Sequence, residues 1–417
     1  MTQCPSDASA SPTAGSPGAA DRSRPDVAVP QAKAPAAPAA APGRRRILRG
    51  RRRAWMLAGL AVVVALVIAG ATVPINKVIQ APGPTWNVLS DGSDGTDEDL
   101  ITVTGTPTYD TTGALRMTTV SVSGCPGYPV TFFMLVDAWL SSDKTILDRD
   151  QVCPDALTAE QVEEVNQAQM TSSQDAAVVA ALMETGEASR MILTIEGTAE
   201  EQSGNGVETG DVLESVTTQA DGTVTITSYS QLRELMATIT PGTPVTLGVD
   251  RDGTAVDVEL TTISPQDADG DGEPDSAGSL LGLSLSARAD SNIEASFSLS
   301  DVGGPSAGTI FALGIVDEIT PGDLTGGQDI AGTGTISIDG SVGAIGGIRQ
   351  KMAGAEQDGS DYFLAPADNC GEVVGNEPAG LEVYAVSTLH EAVETVKAIA
   401  AADTSDLMTC EAVLAAN

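Results

Sequence analysis

The chain has 417 residues, of which 41% are hydrophobic and only 3% aromatic, so it is long enough for about two to three domains with aliphatic cores. Its 57 acidic and 21 basic residues give a formal net charge of −36. This balance excludes nucleic-acid binding as the first expectation, because phosphate binding needs clustered cations. The single histidine, His390, excludes a metal site made of several imidazoles and leaves one residue for any Ser-His-Asp triad.

The charge is divided between two very different parts of the chain. Residues 1–75 carry ten Lys and Arg against three Asp, whereas residues 76–417 carry 11 basic and 54 acidic residues. The chain is therefore a basic N-terminal segment followed by a strongly acidic body. The acidity of the body accounts for solubility but does not indicate a fold.

An uncharged stretch of 20 residues, Ala54 to Val73, separates these two parts. As a helix it would be about 30 Å long, the thickness of the hydrocarbon core of a bilayer. Seven arginines lie in residues 44–53 and only Lys77 follows closely, so the positive-inside rule predicts a cytoplasmic N terminus and an exported body. A cleaved secretory signal ending at residues 69–71 (AGA) is the alternative, although signal cores usually span ~7–15 residues.

Two segments are predicted to carry no catalytic chemistry. Residues 1–53 begin with an Ala/Pro/Ser/Gly-rich stretch that cannot bury enough apolar surface to order, so a disordered cytoplasmic tail is expected. Residues 76–172 combine strand-like alternation with an apolar run at 131–136 and an acidic helix that opens with Asp155. This second segment is interpreted as a β-rich connecting region.

Cysteine usage fits an exported body. Four cysteines follow the apolar stretch and Cys4 lies in the tail. In an oxidising compartment the four would form two disulfides, with three connectivities open. Short sequence separation favours Cys125–Cys153 and Cys370–Cys410.

Residues 173–263 contain an alternation of helices and strands. A helix ending at Gly186 is followed by strands, by GDVLESV (210–216), by a second helix at 228–239 and by PGTPVTLGVDRDG (241–253). This order resembles a PDZ domain of the bacterial type, and the resemblance implies binding of an extended peptide along a sheet edge. The usual carboxylate-binding loop is not recognisable at its expected place near residues 189–192.

The next segment, 264–278, is an acidic linker. Its aspartates are spaced as in a calcium-binding loop, with Gly272 at the turn, but Gly278 stands where an EF-hand has its bidentate glutamate. A solvated linker is therefore preferred to a calcium site, and both interpretations stay open. The aspartates concerned are Asp267, Asp269, Asp271 and Asp275.

Ser306 is the first candidate catalytic residue. It follows residues 303–305 (GGP) and precedes an apolar run that predicts a helix, so it would lie at the helix entrance. Free backbone N–H groups and the positive end of the helix dipole can stabilise an oxyanion there. Taken alone, the same string also fits an ordinary buried helix start.

A serine hydroxyl needs a base before it can attack an amide, and Lys351 is the candidate. It is one of four lysines in the acidic body and lies after a glycine-rich turn, at the start of a predicted amphipathic helix. Burial among apolar groups would lower its pKa and make the neutral amine available as a general base. Taken alone, an exposed helix lysine is the alternative.

The two candidates occur together in a recognisable pattern. GGPSAG (303–308) is followed by AGTGTISIDGSVGAIGGIRQK (331–351), which places Lys351 45 residues after Ser306. This pattern resembles the proteolytic domain of the Lon family, which uses a Ser-Lys dyad. The resemblance implies that Ser306 is the nucleophile, that Lys351 is the general base and that the Thr333 hydroxyl orients the lysine. It implies no cofactor and no metal.

Three departures from the Lon pattern matter. Arg349 stands where the family has the first lysine of its motif, and Thr335 stands where it often has glutamate. Lon proteases proper also carry an AAA+ ATPase with a GxxxxGK[ST] loop, and these 417 residues contain no such sequence. ATP-independent hydrolysis is therefore expected, and His390 is expected on the surface of a late helix.

The combination of segments resembles the membrane-bound Lon-like peptidases with a PDZ domain (YlbL-type). The expected fold class is α+β, with one transmembrane helix and a mixed sheet in the Lon-type domain. Expected partners are polypeptide substrates and the membrane, with no nucleic acid, and a homo-oligomer is compatible with the resemblance. The predicted segments are a tail (1–53), a transmembrane helix (54–75), a β-rich connecting region (76–172), a PDZ-like domain (173–263), an acidic linker (264–278) and a Lon-like proteolytic domain (279–417).

The leading functional hypothesis is a membrane-anchored serine endopeptidase that acts outside the cytoplasm. The first alternative is a catalytically silent, membrane-tethered PDZ scaffold that binds peptides. The second is an acidic surface protein that serves adhesion.

Overall fold

The structure is a computed structural model that describes residues 45–90, 99–124, 128–153, 158–265, 277–299 and 302–416. Three sequence predictions lie outside these residues: the tail before residue 45, Cys125, and the calcium-like aspartates of the linker. The chain separates into two units, Met1–Val64 and Ala65–Asn417. The described part of the first unit belongs to helix α1 (Arg45–Thr72).

Helix α1 contains the apolar stretch predicted from the sequence. Within the described residues, Arg53–Thr72 is the helical segment long and apolar enough to cross a membrane, with a mean hydropathy of 2.4. The prediction of an apolar N-terminal helix is therefore confirmed by length and composition.

The fold is a mixture of helices and strands, as the predicted α+β class requires. The remaining helices are α2 (Phe132–Leu140), α3 (Arg149–Val152), α4 (Ala159–Glu184), α5 (Tyr229–Thr238), α6 (Gly308–Ile319), α7 (Ile348–Gln357), α8 (Cys370–Val373), α9 (Leu389–Ala400) and α10 (Cys410–Ala416). The strands are β1 (Lys77–Asn87), β2 (Ile101–Thr104), β3 (Ala114–Ser123), β4 (Thr145–Asp148), β5 (Met191–Thr198), β6 (Val212–Thr218), β7 (Gly222–Thr225), β8 (Pro244–Arg251), β9 (Thr254–Thr261), β10 (Leu283–Ala289), β11 (Glu294–Phe297), β12 (Asp329–Gly332), β13 (Thr335–Ile336), β14 (Val342–Gly343), β15 (Tyr362–Pro366) and β16 (Glu382–Val386).

A mixed six-stranded sheet carries the C-terminal part of the fold. Its strand order is β16-β15-β12-β3-β1-β4, in which β3 runs parallel to β12 and antiparallel to β1. Strands from the predicted connecting region therefore lie in the same sheet as strands of the predicted proteolytic domain. The interpretation of residues 76–172 as a connection without a role in the site is wrong, since β3 reaches the candidate active site described below.

The second sheet has the order β10-β5-β6-β8-β9, with β7 paired to β6, and its partners are antiparallel. Helix α5 packs Leu232 and Met236 into the core beneath this sheet. The strands and the helix predicted between residues 191 and 263 are present. Strand β10 also belongs to this sheet, through its pairing with β5. The sequence did not predict this, because β10 follows the acidic linker and lies beyond the predicted domain boundary at residue 263.

Helix α4 differs from the two helices that the sequence suggested. The helix expected to open with Asp155 and the helix expected at 173–186 form one continuous helix, Ala159–Glu184. Its N-cap is Thr158, whose side chain accepts a hydrogen bond from the Gln161 N–H in a complete capping box. Asp155 itself lies outside the described residues. The two predicted helices are continuous because residues 170–173 (MTSS) include no proline or glycine that would interrupt the i to i−4 hydrogen bonds.

Helix α2 corrects the interpretation of the apolar run at 131–136. The sequence placed this run in a β-rich region, but Phe132–Leu140 is helical. One side of the helix packs Ala138 against Ile79 and Val130. A short, uninterrupted apolar run does not distinguish a strand from a helix by periodicity, so only packing decides.

Helix α6 is the centre of the largest core. All but one of its 12 residues, Gly308–Ile319, are buried, and the exception, Glu318, is half-buried. A helix that is buried on every side needs neighbours all round, and α6 packs against α4, α9 and β3. This burial fixes the position of the residues just before α6, which include Ser306.

Candidate active site

Ser306 lies in the turn that leads into α6. Gly304 in this turn has φ +88°, a left-handed conformation that favours glycine, and its N–H donates to the Asn166 carbonyl. The Ser173 hydroxyl of α4 donates to the Pro305 carbonyl at 2.9 Å. Helix α4 therefore holds both residues that precede Ser306.

Gly308 allows α6 to start close to its neighbours. A Cβ atom placed there would lie 2.5 Å from the Ser173 Oγ and 2.6 Å from a methyl carbon of Ile336. A larger residue would push α6 away from α4 and β13. The last glycine of the GPSAG string is thus required by packing.

Lys351 lies in the first turn of α7, after the left-handed Gly347, and is 3% exposed. Its Nζ makes three hydrogen bonds: to Ser306 Oγ at 2.7 Å, to Thr333 Oγ1 at 2.9 Å and to the Thr118 carbonyl at 2.9 Å. Among the described residues, no carboxylate is bonded to this amine. The structure therefore brings together the three residues singled out in the sequence.

Burial lowers the pKa of Lys351 from 10.5 to about 7. The physical cause is desolvation, because the ammonium form loses its hydration and has only neutral partners. A buried amine without a counter-charge costs stability, and such groups concentrate at functional sites.

The hydrogen-bond partners of Lys351 match the needs of a neutral amine. The Thr118 carbonyl can only accept a hydrogen bond, and the Thr333 hydroxyl already donates its proton to the Ser306 carbonyl at 2.9 Å. Both therefore accept hydrogen bonds from the amine, which leaves its lone pair for the Ser306 hydroxyl. In this state the serine donates to the lysine, the arrangement that a general base requires.

Two backbone donors lie beside the serine hydroxyl. The N–H groups of Ser306 and Ala307 have no acceptor among the described residues, whereas the N–H of Thr309 donates to the Gly334 carbonyl. Ala307 is the N-cap of α6, so both groups lie at the positive end of the helix dipole. This arrangement can bind negative charge on an oxygen.

Thr118 supplies a contact to Lys351 that sequence reasoning missed. It lies on β3, is buried, and its hydroxyl donates to the Gly332 carbonyl across to β12. Its carbonyl holds Lys351, but every residue has a carbonyl, so no sequence signal marks this position. Asn166 on α4 was missed for the same reason, since it holds the serine turn through its carbonyl. Ser173 was missed because its hydroxyl contacts the Pro305 carbonyl, a partner far away in the sequence.

His390 lies apart from this cluster. It is on α9 with an exposed side chain, and its Nδ1 lies 2.7 Å from a Glu184 carboxylate oxygen. The carboxylate raises the pKa of the histidine through this hydrogen bond and its charge. The expectation that His390 is a surface residue on a late helix agrees with this placement.

Comparison with known proteins finds a family match over the region that contains Ser306, Thr333 and Lys351. Residues 300–399 match the family described as the Lon protease (S16) C-terminal proteolytic domain. The chain is 39% identical over 92 residues to Lon protease 1 of Sorangium cellulosum, covering 21% of this chain and 11% of the relative. It is 35% identical over 97 residues to Lon protease 2 of Bacillus subtilis, covering 23% and 17%.

A relative from a third lineage matches the same region. The archaeal Lon protease of Methanocaldococcus jannaschii is 35% identical over 104 residues, which cover 25% of this chain and 15% of the relative. The chain thus spans less than a fifth of the length of these relatives. The resemblance predicted from the sequence is confirmed over residues 300–399, which are similar to the proteolytic domain of Lon (S16) proteases.

Proposed function

We propose that this chain is a membrane-anchored, ATP-independent serine endopeptidase with a Ser306–Lys351 dyad. The observation that carries the proposal is the 2.7 Å contact between Ser306 Oγ and the buried amine of Lys351. The similarity of residues 300–399 to Lon proteolytic domains supports peptide hydrolysis as the reaction. The substrates proposed are peptides and unfolded or envelope proteins.

The proposed reaction has two stages. Lys351 takes the proton of the Ser306 hydroxyl while Oγ attacks the scissile carbonyl carbon, and the carbonyl oxygen becomes an oxyanion held by the Ser306 and Ala307 N–H groups. Collapse of this intermediate breaks the C–N bond, and Lys351 gives its proton to the leaving amine. Water activated by the same amine then hydrolyses the acyl-enzyme.

A groove beside the second sheet supports the proposed presentation of substrate by the PDZ-like region. Strand β10 is at the end of the strand order and can accept an added strand on its free edge. A cavity of about 920 Å³ lies along β10 and α5 and is lined by Leu283, Leu285 and Tyr229, among others. A peptide bound there as a strand would have pockets for alternate side chains.

A second cavity links this groove to the serine turn. It has a volume of about 430 Å³ and shares Tyr229, Leu283 and Leu285 with the first. It extends to Pro305, the residue before Ser306, and to Ile336. An extended polypeptide bound along β10 would therefore approach the turn that carries Ser306, which supports presentation of substrate without an ATP-driven unfoldase.

One experiment tests the proposed function. The full chain, reconstituted in vesicles, is incubated with casein beside the Ser306→Ala and Lys351→Ala variants, with and without ATP. We expect casein fragments with the unmodified chain alone, at a rate independent of ATP. Retained casein binding without cleavage by the unmodified chain would contradict the proposal and favour a peptide-binding scaffold.

The pH dependence of cleavage follows from the lysine. The neutral amine is the active form, so activity is present above a pKa of about 7 and is lost as the pH falls through it. We expect kcat/KM for a fluorogenic casein peptide to fall about tenfold per pH unit below this midpoint and to level off above it. A profile flat from pH 5 to pH 9 would contradict a titrating base with a pKa of about 7.

Thr333 should act as a positioning residue. Thr333→Val keeps the shape but removes one acceptor of the lysine amine and one donor to Ser306, so kcat/KM should fall about 10- to 100-fold. Loss of an acceptor disfavours the ammonium form, so the pH midpoint should move down. Thr333→Ser keeps the hydroxyl and should restore both kcat/KM and the pH midpoint. A lower kcat/KM with an unchanged pH midpoint in Thr333→Val would indicate that Thr333 has a structural role only.

A further inference from the structure

Helix α2 has two apolar faces, and among the described residues only one of them packs into a hydrophobic core. Ala138, with Met134 and Leu135, packs on the small core that contains Ile79. At 100° per residue, five other apolar positions fall within an arc of about 120° on a different side of the helix. These exposed side chains, here named the α2 apolar face, are Phe132, Phe133, Val136, Trp139 and Leu140.

The exposure of this face is high for aromatic and aliphatic side chains. Trp139 is 77% exposed and Leu140 is 72% exposed, and the nearby Tyr128 is 86% exposed. Contiguous apolar surface of this kind marks a site of contact with a protein or a membrane. The surroundings of α2 decide between the two.

The end of helix α1 lies directly against α2. A Cβ atom placed on Gly70, in the last turn of α1, would lie 3.0 Å from Cε2 of Phe133 and 3.7 Å from Cδ1 of Phe132. Three residues beyond the end of α1, the N–H of Ile75 donates to the Val130 carbonyl at 2.8 Å. Three residues span at most about 10 Å, so α2 is held at the level where α1 ends.

The level at which α1 ends is the interfacial layer of a bilayer if Arg53–Thr72 spans the membrane. Hydrocarbon core and headgroup regions together are about 40–45 Å thick, so a layer of several ångströms lies beyond each end of a spanning helix. Tryptophan, tyrosine and phenylalanine are the residues that favour this layer. Asp137, which pairs with Lys144, separates the apolar face from the packed side and can stay in water.

We infer that the α2 apolar face inserts into the interfacial layer of the membrane and forms a second attachment beside α1. This inference rests on the proposed membrane anchoring. A helix linked by one short connection alone would leave the catalytic body free to swing, whereas two adjacent attachments fix one side of the body on the lipid surface. The occupant of the face is phospholipid, because two of its rings, Phe132 and Phe133, lie beside Gly70 in the last turn of the spanning helix.

The test uses Trp139 as its probe in the full chain. The other tryptophans are replaced (Trp55→Phe and Trp86→Phe), and the protein is reconstituted in phosphatidylcholine vesicles with or without lipid brominated near the top of its acyl chains. We expect brominated lipid to quench Trp139 strongly. We also expect acrylamide, a water-soluble quencher, to reach Trp139 severalfold less well in vesicles than in urea-unfolded protein.

A pair of matched variants separates the face from general surface effects. Leu140→Asp places a charge on the α2 apolar face and should make Trp139 accessible to acrylamide and insensitive to brominated lipid. Leu414→Asp places the same charge on α10, where Leu414 is 45% exposed, and should change neither signal. Circular dichroism of both variants checks that the fold is retained.

Each other outcome overturns the inference in a recognisable way. A chain that resists alkaline carbonate extraction but keeps Trp139 open to acrylamide is anchored without an inserted α2. Shielding from acrylamide without quenching by brominated lipid means that a second copy covers the face. A chain that washes off the vesicles contradicts the anchoring itself and with it the second attachment.

Discussion

Replacing Lys351 by arginine should reduce peptide hydrolysis about 10⁴-fold, to near background. Arginine keeps the positive charge and the hydrogen-bond donors, but its guanidinium stays protonated at every accessible pH and cannot take a proton from Ser306. The buried site offers the guanidinium no carboxylate among the described residues, so the larger charged group also lacks a partner there. The measurement is the initial rate on a fluorogenic casein peptide.

The control for this variant is Arg349→Lys on the same turn of α7. Arg349 is exposed, and this exchange restores the lysine that the Lon pattern has there, so activity should stay within about twofold of the unmodified chain. A Lys351→Arg variant that keeps a tenth or more of the activity would show that the residue acts through its charge and not as a base. Circular dichroism of both variants would show whether the loss comes from misfolding.

Removing the disulfide between Cys370 and Cys410 should lower the free energy of unfolding by about 4 kcal/mol. The bond closes a loop of 40 residues and joins α8 to α10, as the sequence favoured. Both cysteines are buried in the core formed by α7, α8 and β15, so the link restrains the unfolded chain and also holds α10 in place. The measurement is urea unfolding of the Cys370→Ala/Cys410→Ala variant, followed by far-ultraviolet circular dichroism.

Cys4→Ala is the matched control for that variant. Cys4 is predicted to lie in the tail, and its replacement should leave the unfolding transition unchanged. A loss below about 1 kcal/mol in the double variant would mean that packing of α10 is sufficient without the bond. The other predicted bond is not tested by this variant: Cys153 is disulfide-bonded, and Cys125 lies outside the described residues.

The sequence alone was sufficient to select the candidate residues. Ser306 and Lys351 were recognisable as a candidate nucleophile and base because these roles need particular side chains, and because lysine is scarce in so acidic a body. Thr333 followed from the resemblance to the Lon pattern. The apolar helix was also readable, since its length and lack of charge are properties of a contiguous segment.

Groups that act through their backbone could not be found in this way. The Thr118 carbonyl holds the amine of Lys351 although the two residues are far apart in the chain. Any side chain could accompany that carbonyl, so the contact depends on the packing of α7 against β3 and on the pairing of β3 with β12. The same holds for β10, whose edge position depends on its pairing with β5.

Tertiary packing accounts for the remaining differences between the sequence predictions and the structure. The apolar run at 131–136 is compatible with a strand or a helix, and its contacts with β1 and β4 select the helix α2. The lowered pKa of Lys351 is likewise a property of its surroundings, since desolvation arises only when the chain folds around the amine. The sequence by itself determined which residues are candidates for catalysis. The tertiary structure decided that they meet and that the pKa of Lys351 is lowered, because burial and strand pairing depend on residues far apart in the chain.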